Sequence, residues 1–181
     1  MNADEFRDYI LGFIFYKYLS EKIELYANNL LKADGVLYRD LVNHPQAPEY
    51  VEEIRKATTA KLGYFLSPQE TFHHVARNSA TNENLNEDLE RILNSIESST
   101  MGTDSEDDFD KLFSELNLNA DKLGKTVSAR NELISKVLVH LDKIDFKLGD
   151  SKIDILDDAY EYLISQFASG AGKKAGEFYT P

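Results

Sequence analysis

Apolar and aromatic side chains recur at helical spacing through the first thirty residues: Phe6, Ile10, Phe13, Tyr16 or Lys17, Leu19, Ile23, Tyr26 and Leu30. A second stripe, Tyr9, Ile14, Phe15, Tyr18 and Leu25, covers much of the opposite side. The pattern predicts one long helix over residues 3–31, buried on more than one face. At about 1.5 Å per residue it would run roughly 40 Å, the width of a small domain. Asn2 or Asp4 can cap its start, and Asp34-Gly35 marks its end.

Beyond it the pattern breaks into shorter pieces. Residues 34–49 read as a connector with a helical turn at Tyr38–Val42, broken by His44-Pro45 and Ala47-Pro48. Glu49–Leu62 predicts a helix with Val51, Ile54, Ala57 and Leu62 inward, followed by an extended link at Gly63–Leu66. Ser67-Pro68-Gln69-Glu70 combines a serine cap, a first-turn proline and a capping-box glutamate, and starts a helix running to Arg77 or Asn78. Leu89, Ile92, Leu93 and Ile96 define a helix over 87–97; Phe109, Leu112, Phe113 and Leu116 define a short one over 109–116. Between them, 98–107 is rich in Ser, Thr, Gly and acids and reads as disorder-prone. Thr126 caps a helix over 127–143 whose apolar face is Leu133, Ile134, Val137, Leu138 and Leu141. A last helix is predicted from Asp154 to Phe167. No alternating run demands a sheet and no repeat is visible. The expected fold is all-α: a single helical bundle-like domain over 1–168 with one long N-terminal helix and about six shorter ones, and no substantial sheet.

Charge changes the picture more than composition does. The chain has 181 residues and a formal net charge of −12. Residues 83–121 hold twelve acidic side chains against Arg91 and Lys111, so this one stretch carries −10. Residues 122–147 reverse the sign, with Lys122, Lys125, Arg130, Lys136, Lys143 and Lys147 against Glu132, Asp142 and Asp145. The overall acidity argues against free-standing, salt-driven nucleic-acid binding, while leaving room for one basic face. Zero cysteines exclude disulfides and thiolate metal sites. No apolar run is long enough to span a bilayer, and Asp4, Glu5 and Asp8 stand where a signal peptide would be basic, which fits a cytoplasmic location.

Candidate chemistry is sparse. His73 and His74 are adjacent, so on a helix their rings diverge by about 100° and cannot share a metal as an i, i+4 pair can. His44 and His140 are isolated. The acids of 104–110 lack the alternation and central glycine of a calcium loop. No phosphate-binding loop or strand–glycine–helix unit is present. The expectation is no catalytic residue and no metal site in this sequence. The final stretch is different: a glycine-rich, doubly basic run, Ser169–Ala175, leads into Gly176-Glu177-Phe178-Tyr179-Thr180-Pro181. Pro181 biases Thr180 toward an extended conformation, so the ending reads as entry into a further element, with 169–181 as linker.

The opening run Phe6–Lys22 resembles the first helix of the modification (M) subunit of type I restriction–modification systems. Three later stretches agree in order and spacing: Leu123-Gly124-Lys125-Thr126-Val127 with Arg130-Asn131, Asp158–Ile164, and Gly172–Pro181. The resemblance covers essentially the whole chain, and only the N-terminal helical domain of that subunit. It implies a full-length adenine-N6 DNA methyltransferase using S-adenosylmethionine, with a Rossmann-like catalytic domain after the helical one. The Glu177, Phe178, Tyr179, Thr180 and Pro181 stretch looks like the start of the first cofactor-contacting motif. The glycine-rich cofactor loop and the Asn-Pro-Pro-aromatic motif are absent from the sequence, so the fragment itself is expected neither to catalyse nor to bind the cofactor. The family further implies partners: a specificity (S) subunit, a second M subunit, the restriction subunit and duplex DNA held within the complex. The basic stretch agrees with such a role, and Lys122, Lys125 and Arg130 are its candidate phosphate contacts. The alternative reading is a self-contained helical interaction module whose acidic face binds a basic protein.

Overall fold

The computed structural model describes residues 3–104, 106–109, 113 and 116–146. Among these residues six α-helices follow in order: α1 (Ala3–Leu31), α2 (Ala47–Leu62), α3 (Phe72–Asn78), α4 (Leu85–Ser99), α5 (Glu106–Phe109) and α6 (Val127–Asp142). Short 3₁₀ turns link them, and no strand occurs among the described residues. The expected final helix, 154–167, and the linker 169–181 lie outside the described residues.

The long first helix is the axis of the domain. It contacts α2, α3 and α6, and its buried side carries Phe6, Ile10, Phe13, Ile14, Tyr16, Ile23 and Leu31. The second stripe divides: Tyr9 and Ile14 are buried, whereas Phe15 and Leu25 are 38% and 49% exposed. Leu30, expected inward, stands in solvent because the neighbouring Leu31 takes the inward position at the last turn.

Tyrosine hydroxyls tie this axis to segments remote in sequence. Tyr16 donates to the Glu70 carbonyl at 2.5 Å, and Tyr64 donates to the Leu19 carbonyl at 2.6 Å. Off this axis, Tyr38 donates to the Leu66 carbonyl at 2.5 Å. Each bond gives a buried phenol hydroxyl an acceptor, in a region where an unpaired polar group costs about 1–3 kcal/mol. Burial pushes all three phenols well above their usual range.

Several boundaries shift from the sequence reading. Helix α2 begins at Ala47, because Pro48 occupies the first turn, where the missing N–H has no partner to lose. The capping box at Ser67 forms, with Glu70 Oε1 accepting from the Ser67 N–H at 3.0 Å. It starts only a 3₁₀ turn, Pro68–Glu70; Thr71 is extended before α3 resumes. The break has a tertiary cause, since the Phe72 N–H donates to Ser20 Oγ of α1 at 2.7 Å. Helix α5 spans Glu106–Phe109, with Glu106 reaching back to the Gly102 N–H at 3.1 Å, and most of the helix expected over 109–116 lies outside the described residues. Described residues in the 98–107 stretch are pinned rather than loose: Thr100 is buried, and Thr103 Oγ1 donates to the Gly63 carbonyl at 3.2 Å. The inward faces of α4 and α6 match the pattern, with Leu89, Ile96, Ile134, Val137, Leu138 and Leu141 buried.

Candidate nucleic-acid interface

The basic stretch begins in a loop, residues 117–126, that is anchored at both ends. Leu118 and Leu123 plug into the core. The Asn117 carbonyl accepts from the Tyr9 hydroxyl at 2.6 Å, and Asn119 Oδ1 accepts from Asn86 Nδ2 at 2.5 Å. Asn86 is itself held, because its N–H donates to Asn131 Oδ1 at 3.1 Å while Asn131 Nδ2 donates to the Glu83 carbonyl at 2.9 Å. Three asparagines therefore join the loop, the start of α4 and the first turns of α6.

A 3₁₀ turn, Asp121–Leu123, delivers the chain to Gly124, which turns it into α6. Gly124 sits at φ 156, ψ 153. A Cβ there would lie 2.9 Å from Ala129 Cβ and 2.9 Å from the Arg130 backbone nitrogen. Only glycine allows the loop to lie this close against the helix it enters. Thr126 then caps α6, its Oγ1 accepting from the Ala129 N–H at 3.0 Å.

Lys122 and Lys125 stand on this loop and Arg130 on the first turn of α6, and the three do not stand alike. Lys122 and Lys125 are exposed, and the Lys122 ammonium lies 5.5 Å from the centre of the Tyr9 ring. The Arg130 side chain is only 13% exposed. Its Nε donates to the Gly124 carbonyl and its Nη2 to Asp121 Oδ1, both at 2.7 Å. Two of its donors thus clasp the loop that carries the lysines, and Asp121 offsets its charge. Sequence gave no sign of this, since an arginine in a basic stretch looks the same whether it faces solvent or folds back on its own loop.

Both exposed lysines of the loop lie on this edge of the domain. Beside it, a groove of about 670 Å³ runs between α6 and residues 79–83, lined by Ser79, Glu83, Val127, Asn131, Glu132 and Lys136 among others. With two acids against one lysine it does not extend the cationic surface. No group of three or more His, Cys, Asp or Glu residues able to hold a metal occurs among the described residues. The adjacent histidines diverge as their spacing requires. His73 Nδ1 faces Asp142 Oδ2 at 3.0 Å, whereas the His74 pKa is lowered, by burial first and by His73 second. Glu177, Phe178, Tyr179, Thr180 and Pro181 lie outside the described residues. No helix among the described residues is long and apolar enough to cross a membrane.

Comparison with known proteins gives concordant results. The family described as HsdM N-terminal domain matches residues 1–141, and the family described as N-6 DNA Methylase matches residues 151–181. The chain is 34% identical to the type I restriction enzyme MpnII methylase subunit of Mycoplasma pneumoniae, an alignment that covers 98% of this chain and 34% of that protein. It also resembles the crystal structure of the type I restriction-modification system methyltransferase subunit of Streptococcus thermophilus. There the TM-score is 0.72 at 31% identity, covering all of this chain and 37% of the other. The chain thus spans about a third of the length of the relatives it matches.

Proposed function

Because the chain belongs to the HsdM N-terminal domain family of type I restriction–modification methylase subunits, we propose that it is the helical, non-catalytic part of an adenine-N6 DNA methyltransferase. Its role is to help the subunits assemble and close around duplex DNA. The observation that carries this reading is the succession of two family matches along one chain, 1–141 and then 151–181.

In this reading the anchored loop 117–126 faces the phosphate backbone. Lys122 and Lys125 contact phosphates, and Arg130 serves the same contact while holding the loop in shape. The DNA is held jointly with a specificity subunit, a second methylase subunit and the restriction subunit. Sequence readout belongs to the specificity subunit, as phosphate contacts fix register and carry no base information. The acidic remainder suits a domain that meets DNA along one edge only, with most of the affinity supplied elsewhere in the complex.

S-adenosylmethionine supplies the methyl group in the full-length enzyme. Glu177–Pro181 are proposed as the beginning of the cofactor-contacting region. A flipped adenine needs its own pocket, which this reading assigns to the catalytic domain beyond.

The test is the salt dependence of duplex binding by the assembled complex. Each phosphate contact contributes about −0.9 to the slope of log K against log salt. Lys122→Ala with Lys125→Ala in both methylase subunits should flatten that slope while leaving site preference intact. An unchanged slope would remove DNA contact from this loop. Failure of the wild-type complex to transfer a labelled methyl group to adenine would remove the methyltransferase reading itself.

A further inference from the structure

Lys17 occupies a position in the α1 stripe that an apolar residue could fill, and its side chain is 1% exposed. Burying an ammonium is costly unless it is paired, so the partners carry the meaning. Its Nζ donates to Glu21 Oε1 at 2.5 Å on the next turn of α1 and to the Ile144 carbonyl at 2.8 Å. It also lies 4.3 Å from the centre of the Phe146 ring, and that ring is fully buried. Two of these three contacts fall on the short segment just after α6. A second strut meets the same place from α3, where His73 Nδ1 faces Asp142 Oδ2 at 3.0 Å.

This segment has a special position along the chain. The helical-domain match ends at residue 141 and the methylase match begins at 151. Residues 142–146 are therefore the described part of the stretch between the two matches. A leucine or methionine in place of Lys17 would fill the same volume without a desolvation cost, yet it would offer no directional bond to a carbonyl and no cation for a ring face.

We propose that Lys17 is a positioning residue that fixes the direction in which the chain leaves the helical domain toward the methylase domain. The inference rests on the functional reading above. Lys17 sets the angle between the DNA-facing loop on one side and the methyl-transferring centre on the other, with the His73–Asp142 contact as its companion. It touches neither DNA nor cofactor.

The experiment uses the full-length subunit in its assembled complex, spin-labelled once in each domain. Lys17→Met keeps the stem and removes the ammonium. The expected result is a broader inter-label distance distribution and a KM for duplex raised about tenfold or more, because small misplacements of reacting groups are costly. Affinity for S-adenosylmethionine should not change. Phe146→Leu should reproduce the effect, and the double variant should be no worse than either single one, as expected of two halves of one contact. A Lys17→Met protein with a lower melting temperature but wild-type distances and KM would overturn the proposal, leaving Lys17 a stability residue only. If the wild-type complex transfers no methyl group, the functional reading fails separately, and the distance distribution still decides the role of Lys17.

Discussion

Replacing Gly124 with alanine would put a methyl carbon 2.9 Å from Ala129 Cβ, 2.9 Å from the Arg130 nitrogen and 3.0 Å from the Ala129 carbonyl carbon. Comfortable carbon contacts begin near 3.5 Å, and two of the three obstacles are backbone of a capped helix, which yields little. Overpacking of this kind costs about 1–3 kcal/mol. The φ of 156 and ψ of 153 place residue 124 in a region open to little but glycine, and an alanine there adds roughly 1–3 kcal/mol. Taking about 3 kcal/mol as the working value, the melting temperature should fall by roughly 6–12 °C for a domain of this size. Thermal denaturation followed by circular dichroism at 222 nm reads this directly. The double variant Gly124→Ala with Ala129→Gly removes one of the three close contacts, so it should be less unstable than the two single losses added together. A Gly124→Ala protein as stable as wild type, or strict additivity in the double variant, would show that the loop does not approach α6 as described.

Other contacts give independent checks. Ser20→Ala leaves the Phe72 N–H without its acceptor and should cost about 1–3 kcal/mol in urea denaturation. Tyr38→Phe strands the Leu66 carbonyl and should cost a similar amount, with no change in helix content by far-ultraviolet circular dichroism. Arg130→Met should lower the stability of the loop, and hydrogen exchange at Gly124 and Lys125 should speed up while α4 keeps its protection. For pH, His74 has a folded pKa depressed by burial and by His73, so the unfolded chain takes up its proton first. Its contribution is present above the ordinary histidine value and is lost as pH falls through that value toward the folded one. His74→Gln should therefore flatten the acid side of the stability curve below about pH 6.5, and an unchanged curve would refute the burial argument.

Much of this molecule is legible in the sequence because local chemistry decides it. Leu89, Ile92, Leu93 and Ile96 can share one face only as a helix, and Ser67 with Glu70 announces a capping box. What the sequence leaves open is set by partners far away. The aromatic residues around α1 do not say which face stays uncovered; Phe15 and Leu25 look as buriable as Tyr9 and Ile14. The interruption at Thr71 depends on Ser20, a residue on another helix. Arg130 is legible as a cation but not as one folded back on Asp121 and the Gly124 carbonyl. Lys17 stood in the stripe as an alternative to Tyr16; both proved buried, and Glu21, the Ile144 carbonyl and the Phe146 ring together explain the lysine.

The tyrosine and lysine bonds of α1 carry a consequence for biosynthesis. Tyr64, Glu70, Asn117 and Ile144 lie 45, 54, 108 and 127 residues from their partners on this first helix. Contacts so distant in sequence cannot form while the helix alone has left the ribosome. At synthesis rates of about 5–20 residues per second, Lys17 would wait roughly 6–25 s for Ile144 to be made. During that interval the most aromatic segment of the chain is unsheltered. A nascent chain stalled before residue 117 should bind chaperones through α1, and one extended past residue 146 should release them.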